Sequence, residues 1–219
     1  MATQQHKIPT VKLISLVFGL FLAASSSFSY GIEKPEYKVL LTTENIEYRQ
    51  YKSYLVAVTT VADGSTYGKA ATKGFMRLFR YISGDNLSGT DIAMTAPVQQ
   101  KSSQKISMTS PVQQTETDQG WSVAFMLPSR FTFEDAPRPT DPQIRLEKVP
   151  ARLMAVIRYS GRWTEKNFNK YESALLSEIS ASGITVLSEA ESAVYNPPFM
   201  PPFMRHNEVM LEVSDVPSN

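Results

Sequence analysis

A nine-residue run that occurs twice constrains the fold of this chain more than any other feature. Residues 92–100 read IAMTAPVQQ and residues 106–114 read ISMTSPVQQ, so seven of nine positions are identical at an offset of 14 residues. The gap between them contains Lys101, Ser102 and Ser103, and it is polar and short enough for a hairpin loop. A proline within each run confines that position to a sheet edge, a strand end or a bulge. The repetition therefore predicts two paired antiparallel strands.

The remaining chain alternates between strand patterns and two helical patterns. Aromatic and β-branched residues predict strands over 37–51 (one or two strands), 54–61, 121–127, 144–149, 152–159, 184–187 and 208–213. Helical spacing predicts one helix from Ala71 to Ile82, ended by Gly84, with an N-cap from the turn at 63–65. A second helix is predicted between Thr164 and Gly183.

The order of these elements indicates an internal repeat. Residues 152–156 echo residues 54–58, and a helix follows each of these strands. We therefore predict an α+β domain with a pseudo-twofold internal repeat and one helix in each half.

Composition excludes several classes of function. The 219 residues are 42% hydrophobic and 20% charged, which is ordinary for a globular protein that buries a sizeable core. The formal net charge is +1, so we expect no nucleic-acid partner. The chain has no cysteine, which excludes disulfides, thiolate nucleophiles and thiolate metal sites.

The first 29 residues have the layout of a secretory signal peptide. Lys7 and Lys12 precede an apolar run at 13–24, and Ser27 and Ser29 fit the small-residue positions before a cleavage site. The run is shorter than the roughly 20 residues of a membrane span, although an uncleaved anchor is an alternative. We expect a signal peptide at 1–29, a single domain at 30–219 without a membrane span, and export to the periplasm or secretion.

Catalytic motifs are missing from the sequence. It contains no Gly-rich phosphate loop before a helix, no H-E-x-x-H and no G-x-S-x-G. Signal cleavage would remove His6, leaving His206 as the one histidine for a catalytic triad, and its neighbours include no recognisable partner. We therefore expect a protein that is not an enzyme. A rival hypothesis is a hydrolase that uses scattered carboxylates, and no motif in the sequence supports it.

Two segments favour binding of an apolar ligand. The predicted first helix carries an apolar group with arginines beside it: Phe75, Met76, Leu78, Phe79, Arg77 and Arg80. A flat apolar surface beside guanidinium groups suits a porphyrin with anionic propionates, although the same pattern is typical of a core stripe with solvated arginines. Residues 196–204 read NPPFMPPFM, a stiff extended segment that either rims a pocket or connects two strands.

Several motifs in the same order resemble the SOUL haem-binding family. They are the MTAPV and MTSPV runs, IEYRQY at 46–51, GFMRLFRYISGDN at 74–86, FMLP at 125–128, and the C-terminal PPF repeats with RHNEV at 205–209. The similarity extends from about residue 36 to residue 213. It implies a distorted antiparallel β-barrel flanked by two helices, and binding of haem or another porphyrin.

The resemblance also implies where a tetrapyrrole would lie, against the first helix and the loop before the last strand. Carried over to this sequence, it gives these cofactor-binding candidates: Phe75, Phe79, Arg80, Met204 and Arg205. His206 is the single candidate for a histidine ligand to iron, and the family pattern usually has a second basic residue there. We therefore expect binding through the porphyrin face and propionates, without strong axial ligation. The alternative is a peptide- or lipid-binding interaction protein of the same fold.

Overall fold

A computed structural model of the protein describes residues 32–62, 64–87, 103–197 and 199–218. Within these residues, eleven strands, two α-helices and one 3₁₀ turn follow one another along the chain. In order they are β1 (Tyr37–Thr42), β2 (Ile46–Tyr51), β3 (Tyr54–Val61), α1 (Tyr67–Ser83), β4 (Asn86–Leu87), β5 (Val112–Thr117), β6 (Gly120–Met126), β7 (Arg138–Pro139), β8 (Ile144–Val149), β9 (Arg152–Tyr159), α2 (Glu165–Ala181), β10 (Glu191–Val194), the 3₁₀ turn (Pro202–Met204) and β11 (Asn207–Glu212).

Nine of the described strands form one curled antiparallel sheet. Its order is β1-β2-β9-β11-β10-β5-β6-β3-β8, while β4 and β7 form a separate pair. Helix α1 packs against β3 and β6, and α2 packs against β9 and β11. This arrangement confirms the prediction of an α+β fold with a distorted antiparallel barrel flanked by two helices.

The predicted pseudo-twofold repeat is visible in the topology. The first half runs β2-β3-α1-β5-β6, and the second half runs β8-β9-α2-β10-β11. Strand β3 pairs with β6, and its counterpart β9 pairs with β11 in the same antiparallel sense. The halves pair where β5 meets β10, with Val112 opposite Val194, and also through β2–β9 and β3–β8.

Only the end of the second copy of the repeated run lies in a strand. Residues 106–111 are in no strand, and Val112 begins β5, whose two neighbours are β6 and β10. Residues 106–111 therefore do not form the predicted strand, and both sides of β5 are paired with other described strands. The first copy, at 92–100, lies outside the described residues.

Two further boundaries differ from the sequence prediction. In the predicted strand at 184–187, only Val186 makes a bridge, to Val213. The strand that pairs in the sheet is β10, which begins with Glu191 and Ser192. Both residues are polar and buried, so the strand lacks the apolar pattern from which strands are predicted. The N-cap of α1 is Thr66 rather than the preceding turn.

Helix α2 follows its prediction closely. The Thr164 side chain accepts a hydrogen bond from the Asn167 backbone N–H, as an N-cap residue does. Phe168, Leu175 and Ile179 are buried on one face against β9 and β11. Among the described residues, no helix has both the length and the apolar character that a membrane crossing requires.

Candidate functional site

Helix α1 is held against the sheet by a buried face and by one glycine. Leu78, Tyr81 and Ile82 pack with Val123 of β6 in a hydrophobic core. A Cβ atom on Gly74 would lie 2.5 Å from a methyl carbon of Val123, so only glycine permits this close approach. The outer part of α1 is therefore held at a fixed distance from the sheet.

The segment at 103–111 is attached to the carboxyl end of α1. The buried side chain of Asn86 donates to the carbonyls of Tyr81 and Gln104 at 2.8 and 2.7 Å, and it accepts from the Gln104 backbone N–H at 3.0 Å. Farther along, the Ile106 N–H donates to the Ile82 carbonyl at 2.8 Å. These bonds fix the segment beside the helix end.

The far end of this segment is attached to the sheet. The buried Thr109 hydroxyl donates to the Met126 carbonyl at the end of β6. The Ser110 N–H donates to the Glu33 carbonyl at 3.0 Å. Met108 lies between these anchors and is 42% exposed, so its side chain is presented from a fixed backbone.

A cleft of about 520 Å³ lies between the end of α1 and this segment. We call it the α1 cleft, and its lining residues are Phe79, Ile82, Ser83, Lys105, Ile106, Ser107 and Met108. Phe79 and Met108 are exposed apolar side chains, and Lys105 adds an exposed cation. The volume falls within the range of ordinary small-molecule sites, about 300–1,000 Å³.

The apolar residues predicted for the site on α1 differ in how they relate to the cleft. Phe79 lines the cleft, and Phe75 stacks against it with ring centroids 5.9 Å apart and planes inclined by 10°. Phe75 also contacts Phe125 edge-on, so it connects Phe79 to the core. Leu78 is fully buried, and therefore the four apolar residues do not form one exposed plate.

The two arginines of α1 differ in their surroundings. Arg77 donates to the Thr59 hydroxyl at 2.6 Å and to the Thr60 carbonyl, which directs it to the sheet. Arg80 is mostly exposed, and its guanidinium lies 3.9 Å from an Asp141 carboxylate oxygen. Arg80 is thus available to an anion, but a neighbouring carboxylate partly offsets its charge.

Two cleft residues, Lys105 and Met108, were not selected from the sequence. Met108 belongs to the repeated run, where its pattern indicated a strand and not a ligand-facing position. Lys105 lies between the two copies, in the gap that was predicted to be a hairpin loop. Only the attachment of 103–111 to α1 brings both side chains to Phe79.

Met204 and Arg205 belong to a different segment, which precedes β11. Met204 ends the 3₁₀ turn and is 59% exposed. The Arg205 Nε donates to the Met200 carbonyl at 2.8 Å. Strands β10 and β5 lie between β11 and β6, the strand beneath α1. Neither residue is among those that line the α1 cleft.

His206 has a partner that sequence reasoning did not find. Its Nε2 lies 2.7 Å from Oε1 of Glu208, and its ring stacks on Tyr195 with centroids 4.2 Å apart. A carboxylate only accepts hydrogen bonds, so Nε2 carries the proton. The signal was the spacing of two residues, which places both side chains on one side of a strand.

Glu208 is the centre of a polar cluster that consists of the buried residues Arg49, Tyr51 and Glu208 and the half-buried residues Tyr195 and His206. Both terminal nitrogens of the Arg49 guanidinium donate to its carboxylate oxygens at 3.0 Å, and the Tyr195 hydroxyl donates at 2.7 Å. Burial alone would raise the pKa of Glu208, but the hydrogen bonds from His206 and Arg49, together with the Arg49 charge, lower that pKa to about 2. The carboxylate is therefore ionised and fully paired.

These features define an α+β protein with a cleft beside its first helix, and the comparisons place it in a family. The family model described as SOUL heme-binding protein matches residues 32–212. The chain belongs to the SOUL family.

One curated relative is similar over nearly its whole length. Heme-binding protein 1 from Xenopus laevis is 26% identical over 195 residues, which cover 87% of this chain and 97% of the relative.

Solved structures show the fold at much lower identity. The crystal structure of the EcmrR C-terminal domain has a TM-score of 0.52 at 11% identity and covers 82% of this chain and 99% of that chain. EcmrR in a cryo-EM complex with DNA has a TM-score of 0.54 at 9% identity, with 78% of this chain and 57% of that chain covered. At these identities the likeness concerns the fold alone.

Proposed function

We propose that this protein binds haem or a related porphyrin in the α1 cleft and performs no catalysis. The observation that carries the proposal is that apolar side chains and cations lie together at this cleft. Phe79 and Met108 line the cleft beside Lys105, and Arg80 follows Phe79 on the helix. The names of the family and of the Xenopus relative both refer to haem binding, which supports this ligand class.

The side chains present fit the two chemical parts of a porphyrin. Phe79, braced by Phe75, offers an aromatic face to the macrocycle. Lys105 and Arg80 offer charge-assisted hydrogen bonds to propionates, although their exposure reduces the strength of such contacts. Burial of apolar surface contributes roughly 25 cal/mol per Å² to binding. A micromolar dissociation constant corresponds to a net binding free energy of about 8 kcal/mol, which remains after the costs of association.

The iron would have few protein ligands in this cleft. Haem supplies an iron centre that proteins usually hold with His, Met, Cys or Tyr. The Met108 thioether lines the cleft, whereas His206 is engaged by Glu208 and Tyr195. We therefore place most of the binding energy in contacts with the porphyrin body.

Absorption titration of the purified protein with haem tests the proposed site. Phe79→Ala should weaken binding at least tenfold, because it removes the aromatic floor. Met76→Ala is the matched control, since Met76 is an exposed apolar residue of the same helix that does not line the cleft. Equal affinity of wild type and Phe79→Ala, with both folded, would place the ligand elsewhere.

Export is a second part of the proposal, supported by the N-terminal charge and hydropathy pattern. The exported form should begin near Tyr30, as determined by N-terminal sequencing of the protein from the extracytoplasmic fraction. Recovery of chains that begin at Met1 or Ala2 in a membrane fraction would contradict cleavage.

A further inference from the structure

Three large apolar side chains are exposed together in the segment before β11. Phe199, Phe203 and Met204 are 85%, 78% and 59% exposed. We call these three residues the apolar tip. Large apolar side chains clustered on a surface mark an interaction site more often than scattered ones do.

The backbone that carries the apolar tip is held by local hydrogen bonds. The Met200 N–H donates to the Pro197 carbonyl at 3.0 Å, and the Met204 N–H donates to the Pro201 carbonyl at 2.9 Å. The Gly161 N–H, in the loop after β9, donates to the Pro202 carbonyl at 2.9 Å. Because these bonds hold the backbone at residues 199–204, docking would lose little conformational entropy.

Basic residues lie around the base of the apolar tip. The Lys34 ammonium lies 5.2 Å from the ring centroid of Tyr195, the residue that follows β10. Arg162 is exposed and directly follows Gly161, and Arg205 directly follows the tip. Residues 196–204 contain no acidic residue. This combination of apolar tip and cationic base matches the interfacial zone of an anionic bilayer.

The tip and the α1 cleft lie toward the same end of the sheet. Val194 pairs with both Val112 and Asn207, so the segments at 195–206 and 103–111 leave the sheet at the same level. A surface that received the tip would therefore lie on the side of the molecule where the cleft is formed.

We propose that the apolar tip docks the protein onto an anionic lipid surface, with the aromatic rings in the interfacial layer and the basic residues at the headgroups. A second copy of the chain matches the tip less well. The α1 cleft carries Lys105, whose charge would repel the basic residues around the tip. This proposal does not depend on porphyrin binding.

Vesicle sedimentation tests the proposal, with phosphatidylcholine vesicles prepared with and without phosphatidylglycerol. Wild type should bind the anionic vesicles and bind the neutral ones far more weakly. The double variant Phe199→Ser/Phe203→Ser should bind at least tenfold more weakly, because two aromatic side chains no longer enter the interface. Phe133→Ser is the matched control, since Phe133 is 55% exposed and lies outside the segment.

Phe203→Trp gives a readout at the tip itself. Its emission, measured as the difference from wild type, should shift to shorter wavelength when anionic vesicles are added. Absence of binding to anionic vesicles, equal binding by the folded double variant, or an unshifted emission would each overturn the proposal. A wild-type dimer without lipid that becomes monomeric in the double variant would overturn it in favour of a second copy.

Discussion

The imidazole Nε2 of His206 lies 2.7 Å from a carboxylate oxygen of Glu208. This contact joins the single histidine of residues 30–219 to a polar cluster with Arg49 and Tyr195. Because Glu208 and Tyr195 hold the His206 imidazole, we propose haem binding that does not rely on iron ligation by His206.

The same cluster predicts that the protein loses stability in acid. The pKa of Glu208 is about 2 in the folded chain and near 4.5 when unfolded, so the unfolded chain takes up the proton first. The contribution of Glu208 is present above pH about 4.5 and is lost as the pH falls through about 2. It is worth about 3 kcal/mol, at about 1.36 kcal/mol per pH unit. Urea unfolding across this pH range measures it.

Variants of Glu208 separate this effect from general acid sensitivity. Glu208→Gln should be less stable at neutral pH and should show a shallower loss toward pH 2, because the carboxylate is gone. If this variant does not fold, Arg49→Met/Glu208→Met removes both buried charges together and provides the same comparison. Glu134→Gln, at an exposed position, should retain the wild-type slope. A Glu208 variant with an unchanged slope would contradict the assignment.

Thr109→Val should lower stability by about 1 kcal/mol, because the buried hydroxyl that bonds the Met126 carbonyl is lost. Thermal or urea unfolding measures the change, and Thr109→Ser, which keeps the hydroxyl, serves as the control. Porphyrin affinity should fall only as far as stability does. A stable, folded Thr109→Val protein without porphyrin binding would show that the repeated run contacts ligand directly. We expect Thr95→Val to behave similarly, although Thr95 lies outside the described residues.

Lys105 should contribute to binding only when the porphyrin carries free carboxylates. Lys105→Gln should weaken protoporphyrin IX binding by roughly threefold, as expected for an exposed ion pair, and should leave the dimethyl ester unaffected. Arg80→Gln should have a smaller effect because Asp141 lies 3.9 Å away. Fluorescence titration with the acid and the ester gives both comparisons. An equal loss for the ester would show that Lys105 acts through packing.

Periodicity and propensity predicted those parts of the fold that depend on one stretch of chain. The strands at 54–61, 144–149 and 152–159 have the predicted bounds, and Thr164 caps α2 as predicted. These features need only a local pattern of apolar and polar residues. The resemblance to the SOUL family supplied the curled barrel, which local patterns do not specify.

The site required contacts between residues distant in sequence. Sequence patterns identified Phe79 as an apolar helix residue. They did not show that Phe75 would stack on Phe79 or that Lys105 would line the same cleft. The partner of His206 was missed although Glu208 is two residues away, because a charged residue in a strand is read as exposed. The burial of Glu208 is evident only in the folded structure, where Arg49 of β2 reaches Glu208 of β11 across β9.

The central claim is that a porphyrin is held by its body and not by its iron. Parallel titrations of wild type and His206→Ala with haem and with iron-free protoporphyrin IX test it most directly. We predict that the iron-free form binds wild type within about tenfold of haem, a difference of about 1.4 kcal/mol. We also predict that His206→Ala changes haem affinity little. Binding of the iron form alone, abolished together with its Soret shift in His206→Ala, would contradict the account and identify His206 as an axial ligand.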